Sequence, residues 1–268
     1  EKTLRNKMDY SNLDAFFMQY IVYKTSKPVN SRQLYNSFVK LFKDSGYSQE
    51  SILKELRYYA EIFGAFVYGS AKYSERINRL LYRLRVLNQT TCYPFLLHVF
   101  DDYHQGVIDE ETVEKILQFI LAYLLRRMVC GVPSNTLRGL FTYLYNRIFK
   151  VASNKQKYYE TLNKFLFTVS SKDVIPSAAE FERALQKANI YGNNALCRFL
   201  LLDIENGDGK EILQAENLTI EHIMPQTLSA DWSHIRPEEH EEYLHTLGNL
   251  SVTGYNSELS NKSFAEKQ

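Results

Sequence analysis

Over the first three-quarters of the chain, apolar residues recur at i, i+3, i+4 and i+7, the spacing of one face of an α-helix. The pattern predicts helices at 12–23, 31–43, 48–69, 74–87, 112–129, 134–151, 155–168, 177–188 and 194–204. Several open on Ser or Asp, the residues that cap a helix N-terminus, and Gly46, Gly69 and Gly131 fall where helices should stop. The stretch 112–129 (TVEKILQFILAYLLRRMV) is the most hydrophobic, but Glu114, Arg126 and Arg127 make it a core helix rather than a membrane span. The two arginines are expected to pair with buried acids or to face a neighbouring domain. Tandem amphipathic helices on short connections read as a bundle. No repeat of fixed period supports a solenoid.

Near Glu205 the helical period is lost. Residues 218–223 alternate and read as a short strand, 246–253 as a second, and 257–268 return to a helical pattern. The expected fold is mainly α: a helical bundle domain over 1–204, a linking or coupling region, followed by a strand–loop–strand–helix unit over 205–268. About fifty residues are too few for a core of their own, so this unit must dock on the bundle or be held by a metal. The chain starts at Glu1 and stops inside the last helical pattern at Gln268, which reads as a cut from a longer polypeptide, truncated at its C-terminal end.

Composition changes this picture in two places. Cys92, Cys130 and Cys197 are far apart and odd in number, which leaves no disulfide framework and no paired-cysteine metal site. They point to buried thiols in a reducing, cytoplasmic setting. The charges, 32 basic against 31 acidic, suggest neutrality, but residues 216–268 carry nine acids and three bases, a balance of −6, against +7 for the remainder. Tyr58, Tyr59, Tyr143, Tyr145, Tyr158 and Tyr159 fall on helical patterns and are expected to pack with their hydroxyls at the rim.

The densest chemistry is Ile220-Glu-His-Ile-Met-Pro-Gln226. Glu221 and His222 are adjacent at the end of a predicted strand, and Pro225 ends the pairing. Neighbours on a strand face opposite ways, so the two share a site only if the strand ends or bulges there. In that case Glu221 can hold a hard cation through oxygen while His222 stays free as a base. Otherwise they are a solvent-facing Glu and a structural His. Gly248-Asn249-Leu250 opens the second strand, and Asn256 and Asn261 sit at the last helix with Lys262 and Lys267 beside them. Asn256 is equally suited to cap that helix, and Asn249 to follow Gly248 in a turn.

The order E-H-I-x-P, then G-N-L, then an Asn opening a helix resembles the HNH (His-Me finger, ββα-metal) nucleases. The longer runs TIEHIMPQTLSADW and HTLGNLSVTGYNSELSNKSFAEK are similar to the C-terminal region of GmrSD-type modification-dependent restriction endonucleases. The stretches LLRRMVCGVPSNTL (124–137) and 181–191 carry the same likeness into the helical part. The resemblance implies a small ββα-metal unit and a metal-dependent DNA endonuclease of a nucleotide-dependent restriction system against modified or phage DNA. His222 matches the general base, Asn249 the residue that pins the two strands and orients it, and Glu221 and Asn256 the holders of Mg²⁺ or Mn²⁺. Asn261 rivals Asn256, and His245, Lys262 and Lys267 are further candidates for metal or phosphate contact. No cysteine flanks the motif, so no structural zinc is expected. His234 and His240, in an acidic loop, are expected to be solvated.

Relatives of this kind carry a preceding nucleotide-hydrolysing domain, which is an expected partner together with DNA; no membrane partner is expected. Gly207-Asp-Gly-Lys210 is not a phosphate loop, because it lacks the spacing and the hydroxyl residue after Lys. DNA is anionic and the C-terminal segment is acidic, so backbone contacts are sought in the helical part. Arg76, Arg79 and Arg83 lie at i, i+3 and i+7, opposite Ile77, Leu80, Leu81 and Leu84, with Arg85 beside them. This stripe is the DNA-backbone candidate, and a solvated helix face stays open as its alternative. A base histidine must be neutral, so activity should fall below about pH 6.5. A reading from another class also stands: a helical coupling scaffold whose nuclease module is inactive without the missing N-terminal domain.

Overall fold

The computed structural model describes residues 10–43, 46–169, 172–207, 218–253 and 264. They form helices α1 (Tyr10–Thr25), α2 (Leu34–Lys43), α3 (Gln49–Tyr68), α4 (Glu75–Val86), α5 (Tyr93–His104), α6 (Glu110–Val129), α7 (Leu137–Phe149), α8 (Tyr158–Thr168), α9 (Ala178–Lys187) and α10 (Asn194–Asn206). Strand β1 (Thr219–His222), helix α11 (Pro237–Tyr243) and strand β2 (Leu250–Thr253) follow. The protein is thus mainly helical, with a two-stranded sheet near its C-terminus. No helix among the described residues is long and apolar enough to cross a membrane.

The chain divides into two compact units. The first comprises Glu1–Arg85, Gln89–Ala122 and Ser134–Ile175; the second comprises Val86–Asn88, Tyr123–Pro133 and Pro176–Gln268.

The first unit is built around α5, which packs against α1, α3 and α7. Phe95, Leu96, Leu97, Val99 and Phe100 are all fully buried. Burying each such side chain contributes roughly 1.5–3 kcal/mol before entropy is charged against it. The helix was not expected from the sequence. Its residues are apolar on nearly every side, so no amphipathic period shows, and Pro94, a breaker elsewhere, sits in the first turn where its missing N–H costs nothing. Gly69 ends α3 as expected: its φ of +79° is strained for any residue with a Cβ, and its N–H reaches the Ala65 carbonyl.

The polar end of α5 carries a tyrosine–carboxylate network. Tyr58, Tyr23 and Tyr59 donate to Asp101 at 2.9, 3.1 and 3.2 Å. Tyr145 and Lys155 donate to the buried Asp102 at 2.7 Å each, and Tyr158 donates at 3.1 Å. Tyr158 is itself buried, so its hydroxyl is not at the rim as expected but inside, because Asp102 supplies the acceptor that makes burial tolerable.

In the second unit, β1 and β2 pair antiparallel, with Thr219 opposite Thr253, Ile220 opposite Val252, Glu221 opposite Ser251 and His222 opposite Leu250. The strand expected at 246–253 is only half strand. Leu247–Asn249 form a 3₁₀ turn, and pairing begins at Leu250. Arg127, 1% exposed, donates to the Pro133 carbonyl at 3.0 Å and lies over the Tyr123 ring, while Arg126 donates to the Pro176 carbonyl. Cys92 and Cys197 are buried, with thiols pushed up to about 12 and about 11 by burial; Cys130 is only half-buried, contrary to expectation. The helix expected at 257–268 lies outside the described residues, except Phe264, which is helical.

Candidate functional site

The site is assembled where β1 stops. Thr219 Oγ1 donates to the Thr253 carbonyl at the open end of the ladder, and Ile223 N–H donates to the Asn249 carbonyl at the other. Beyond it Pro225 has no N–H to offer. Glu221 and His222 are both buried, 9% and 5% exposed, so Glu221 is not the solvent-facing residue of the simplest reading.

Asn249 fixes this strand end. Its Oδ1 accepts from Met224 N–H at 2.7 Å, and its Nδ2 donates to the carbonyls of Met224 at 3.0 Å and Leu244 at 2.9 Å. One side chain therefore ties the segment after β1 to the segment before β2. It is 7% exposed, so these backbone groups have little water to turn to if it is removed.

The His222 imidazole is held at both nitrogens. Nε2 lies 3.2 Å from Nδ1 of His245, and Nδ1 lies 3.3 Å from the amide nitrogen of Gln226. The Tyr191 ring, from the loop between α9 and α10, meets His222 edge-on with centroids 4.5 Å apart. The same ring stacks on His245 at 5.1 Å, with the planes 10° apart. That loop is tied down by backbone as well: Ile190 and Tyr191 N–H both donate to the His245 carbonyl, at 2.9 and 3.3 Å. Further out, His240 Nε2 donates to the Pro225 carbonyl at 2.9 Å. His240 thus helps hold the turn after β1 instead of being merely solvated. His234 lies beside the Trp232 ring.

The structure brings together three of the sequence candidates, His222, His245 and Asn249; Glu221 precedes His222 in the unbroken ladder, opposite Ser251. Asn256, Asn261, Lys262 and Lys267 lie outside the described residues. Tyr191 and Gln226 are the additions. Gln226 closed the heptapeptide but carried no role, and Tyr191 is thirty-one residues upstream of His222 in sequence, where no local spacing announces it.

Among the described residues, no group of three or more His, Cys, Asp or Glu could hold a metal ion. The expected holders of a cation, Glu221 and Asn256, number fewer than such a group, and Asn256 lies outside the described residues.

The arginine stripe lies on α4 in the first unit. Arg76 and Arg79 are exposed, and Arg76 approaches Glu114 at 3.9 Å. Arg83 is half-buried, with its Nε enclosed. Arg85 donates to the Phe66 carbonyl at 3.2 Å and lies over the Tyr82 ring, so part of its donor set is already spent within the fold. A cleft of about 710 Å³ elsewhere in this unit is lined by Tyr103, Lys115, Lys155, Tyr158 and Glu160 among others. Its lysines are engaged, Lys115 with Glu111 and Lys155 with Asp102.

Residues 175–268 match the family of GmrSD restriction endonucleases, C-terminal domain. The match takes in α9, α10, both strands and every residue of the site just described. No curated protein matches the chain.

Proposed function

We propose, from the match of residues 175–268 to the GmrSD C-terminal family, that this protein is an HNH-type DNA endonuclease in which His222 is the general base. One observation carries the reading: a histidine at a strand end, locked by Asn249, with its ring fixed at both nitrogens. An imidazole so placed can take a proton from water as the hydroxide attacks phosphorus in line. A new P–O bond forms, the bond to the 3′ oxygen breaks, and the leaving oxygen takes up a proton. A divalent cation, Mg²⁺ or Mn²⁺, held by Glu221 and Asn256, supplies charge neutralisation at the phosphate when bound.

The reading includes a ββα-metal unit within 205–268, a coupling role for 1–204, and DNA-backbone contacts from Arg76 and Arg79. It includes a nucleotide-hydrolysing partner domain and a cytoplasmic restriction role against modified or phage DNA. A second reading is kept beside it: the module is idle, and the chain is a coupling scaffold, until the partner domain acts.

Supercoiled plasmid incubated with the chain and Mg²⁺ or Mn²⁺, beside His222→Ala, separates the possibilities. Nicking that falls on the order of 10²–10⁴-fold in the variant supports the enzyme. Equal nicking by both proteins removes His222 as base. Metal-bound but inert chain favours the scaffold.

A further inference from the structure

We propose that His245 is the positioning residue of this site: it takes the Nε2 proton of His222 as a hydrogen bond and so leaves Nδ1 as the proton-accepting atom. The inference rests on the reading of His222 as base and adds which of its nitrogens does the work and what selects it.

The argument begins with the Gln226 amide nitrogen, which can only donate. Facing Nδ1 of His222, it requires a lone pair there. A neutral imidazole has one donor and one acceptor, so the proton lies on Nε2. Nε2–H then donates to Nδ1 of His245, which must itself be unprotonated, leaving the His245 proton on its own Nε2. One tautomer of each ring satisfies the whole chain from Gln226 through His222 to His245.

His245 is able to impose this because its own backbone and ring are fixed. Its carbonyl takes two backbone N–H groups from Ile190 and Tyr191, and its ring lies flat on Tyr191. The next residue is anchored too, with Thr246 Oγ1 and N–H both on the Tyr243 carbonyl. Gln226, by contrast, is a single amide at 3.3 Å, the long end of the hydrogen-bond range. Its N–H marks where a water O–H would donate to Nδ1. In this arrangement His245 Nε2 carries a proton, so His245 is not a metal ligand.

Two variants of the whole chain separate the acceptor from the ring. Asn at 245 places an amide oxygen near the position of Nδ1 and keeps the acceptor without the ring. Phe keeps the stack on Tyr191 and offers no acceptor. We expect the His245→Asn protein to cleave within about tenfold of the unaltered chain, and His245→Phe to lose on the order of 10- to 100-fold in kcat with KM little changed. Ring ¹⁵N spectra of neutral His222 should show Nε2–H in the unaltered protein and in His245→Asn, and a mixture of tautomers in His245→Phe. An Nδ1–H tautomer in the unaltered protein overturns the proposal, and needs no variant to fold. An unchanged tautomer in folded His245→Phe overturns it as well. Full cleavage by His222→Ala instead defeats the reading of His222 as base, while the spectra still report on the tautomer.

Discussion

Of the histidines that lie against tyrosine rings, His98 and His222 have surroundings that divide a structural group from a chemical one. His98 on α5 stacks on Tyr145 at 3.9 Å with the planes 8° apart, and Tyr23 covers it at 4.2 Å. Burial, aided by the nearby Lys155 cation, pushes its pKa down to about 3, so it stays neutral across the working range of most enzymes. The carboxylates beside it, Asp101 and Asp102, are already taken by tyrosines and a lysine. His222 also meets a tyrosine ring, but its nitrogens face another imidazole and a lone amide, and the amide is a partner that a substrate water can replace. The helical unit holds more Asp and Tyr than the strand unit, yet the polar groups around Asp101 and Asp102 are closed on one another. Density of reactive residue types does not make a site; an exchangeable partner on a positioned atom does.

The largest effect we expect tests the rigidity of the second environment. Asn249→Ala removes three hydrogen bonds and leaves Met224 N–H and two carbonyls at a buried strand end. Losses of this kind cost on the order of 3 kcal/mol. Urea unfolding followed at Trp232, which lies in the same unit, should show it. A change under about 0.5 kcal/mol would mean that Asn249 does not hold the strand end, and the contrast between a pinned and a closed histidine would lose its basis.

The next prediction concerns the first environment. Folded His98 resists protonation down to about pH 3, whereas an unfolded imidazole takes its proton near pH 6.5. Between those values the unfolded chain binds more protons, so stability present above pH 6.5 is lost as the pH falls. His98 keeps some exposed surface, which tempers the effect. We expect about 2 kcal/mol between pH 6.5 and 4.5, above the main carboxylate range. His98→Phe keeps an aromatic ring in the stack and should flatten that slope in chemical unfolding followed by circular dichroism. An equal slope in both proteins would show that His98 is not closed in the sense argued.

How much of this was legible beforehand depended on whether the interactions are local in sequence. Glu221 and His222 stood side by side in a motif, and the Gly-Asn-Leu turn marked Asn249, so the centre of the site could be read from the chain. Tyr191 and the role of Gln226 could not, because stacking across loops leaves no periodic trace. The amphipathic helices were read from their exposed faces, and α5 escaped for the same reason: buried nearly all round, it has no polar face to set the period. Asn249 also explains why the second strand starts late, since its side chain takes the backbone groups that a ladder would otherwise use.

The exposed face of the helical unit gives a smaller effect. Arg76 and Arg79 point outward on α4, whereas Arg83 is half-buried and Arg85 is bonded to the Phe66 carbonyl. Of the four candidates, two are then free enough in position to meet phosphate. Replacing both with Gln should lower the salt slope of DNA binding by about 1–2, roughly tenfold in affinity between 50 and 200 mM salt. An unchanged slope assigns DNA contact to other residues and leaves α4 with a solvated face.

The smallest effect lies at the start of the segment that carries Tyr191. Ser177 caps α9: its Oγ accepts from Glu180 N–H at 3.3 Å, while the Glu180 carboxylate takes the Ser177 N–H at 2.8 Å. These bonds hold the Glu180 carboxyl below its usual range. Ser177→Ala should cost about 1 kcal/mol. Its value lies in what else moves. If α9 only covers the core, stability drops and cleavage stays. If α9 sets the loop whose Ile190 and Tyr191 N–H groups grip His245, loosening its first turn should also broaden the His222 ring signals and slow cleavage by more than the unfolded fraction explains. The second outcome would extend the positioned environment of His222 back through α9. The first would end it at the loop.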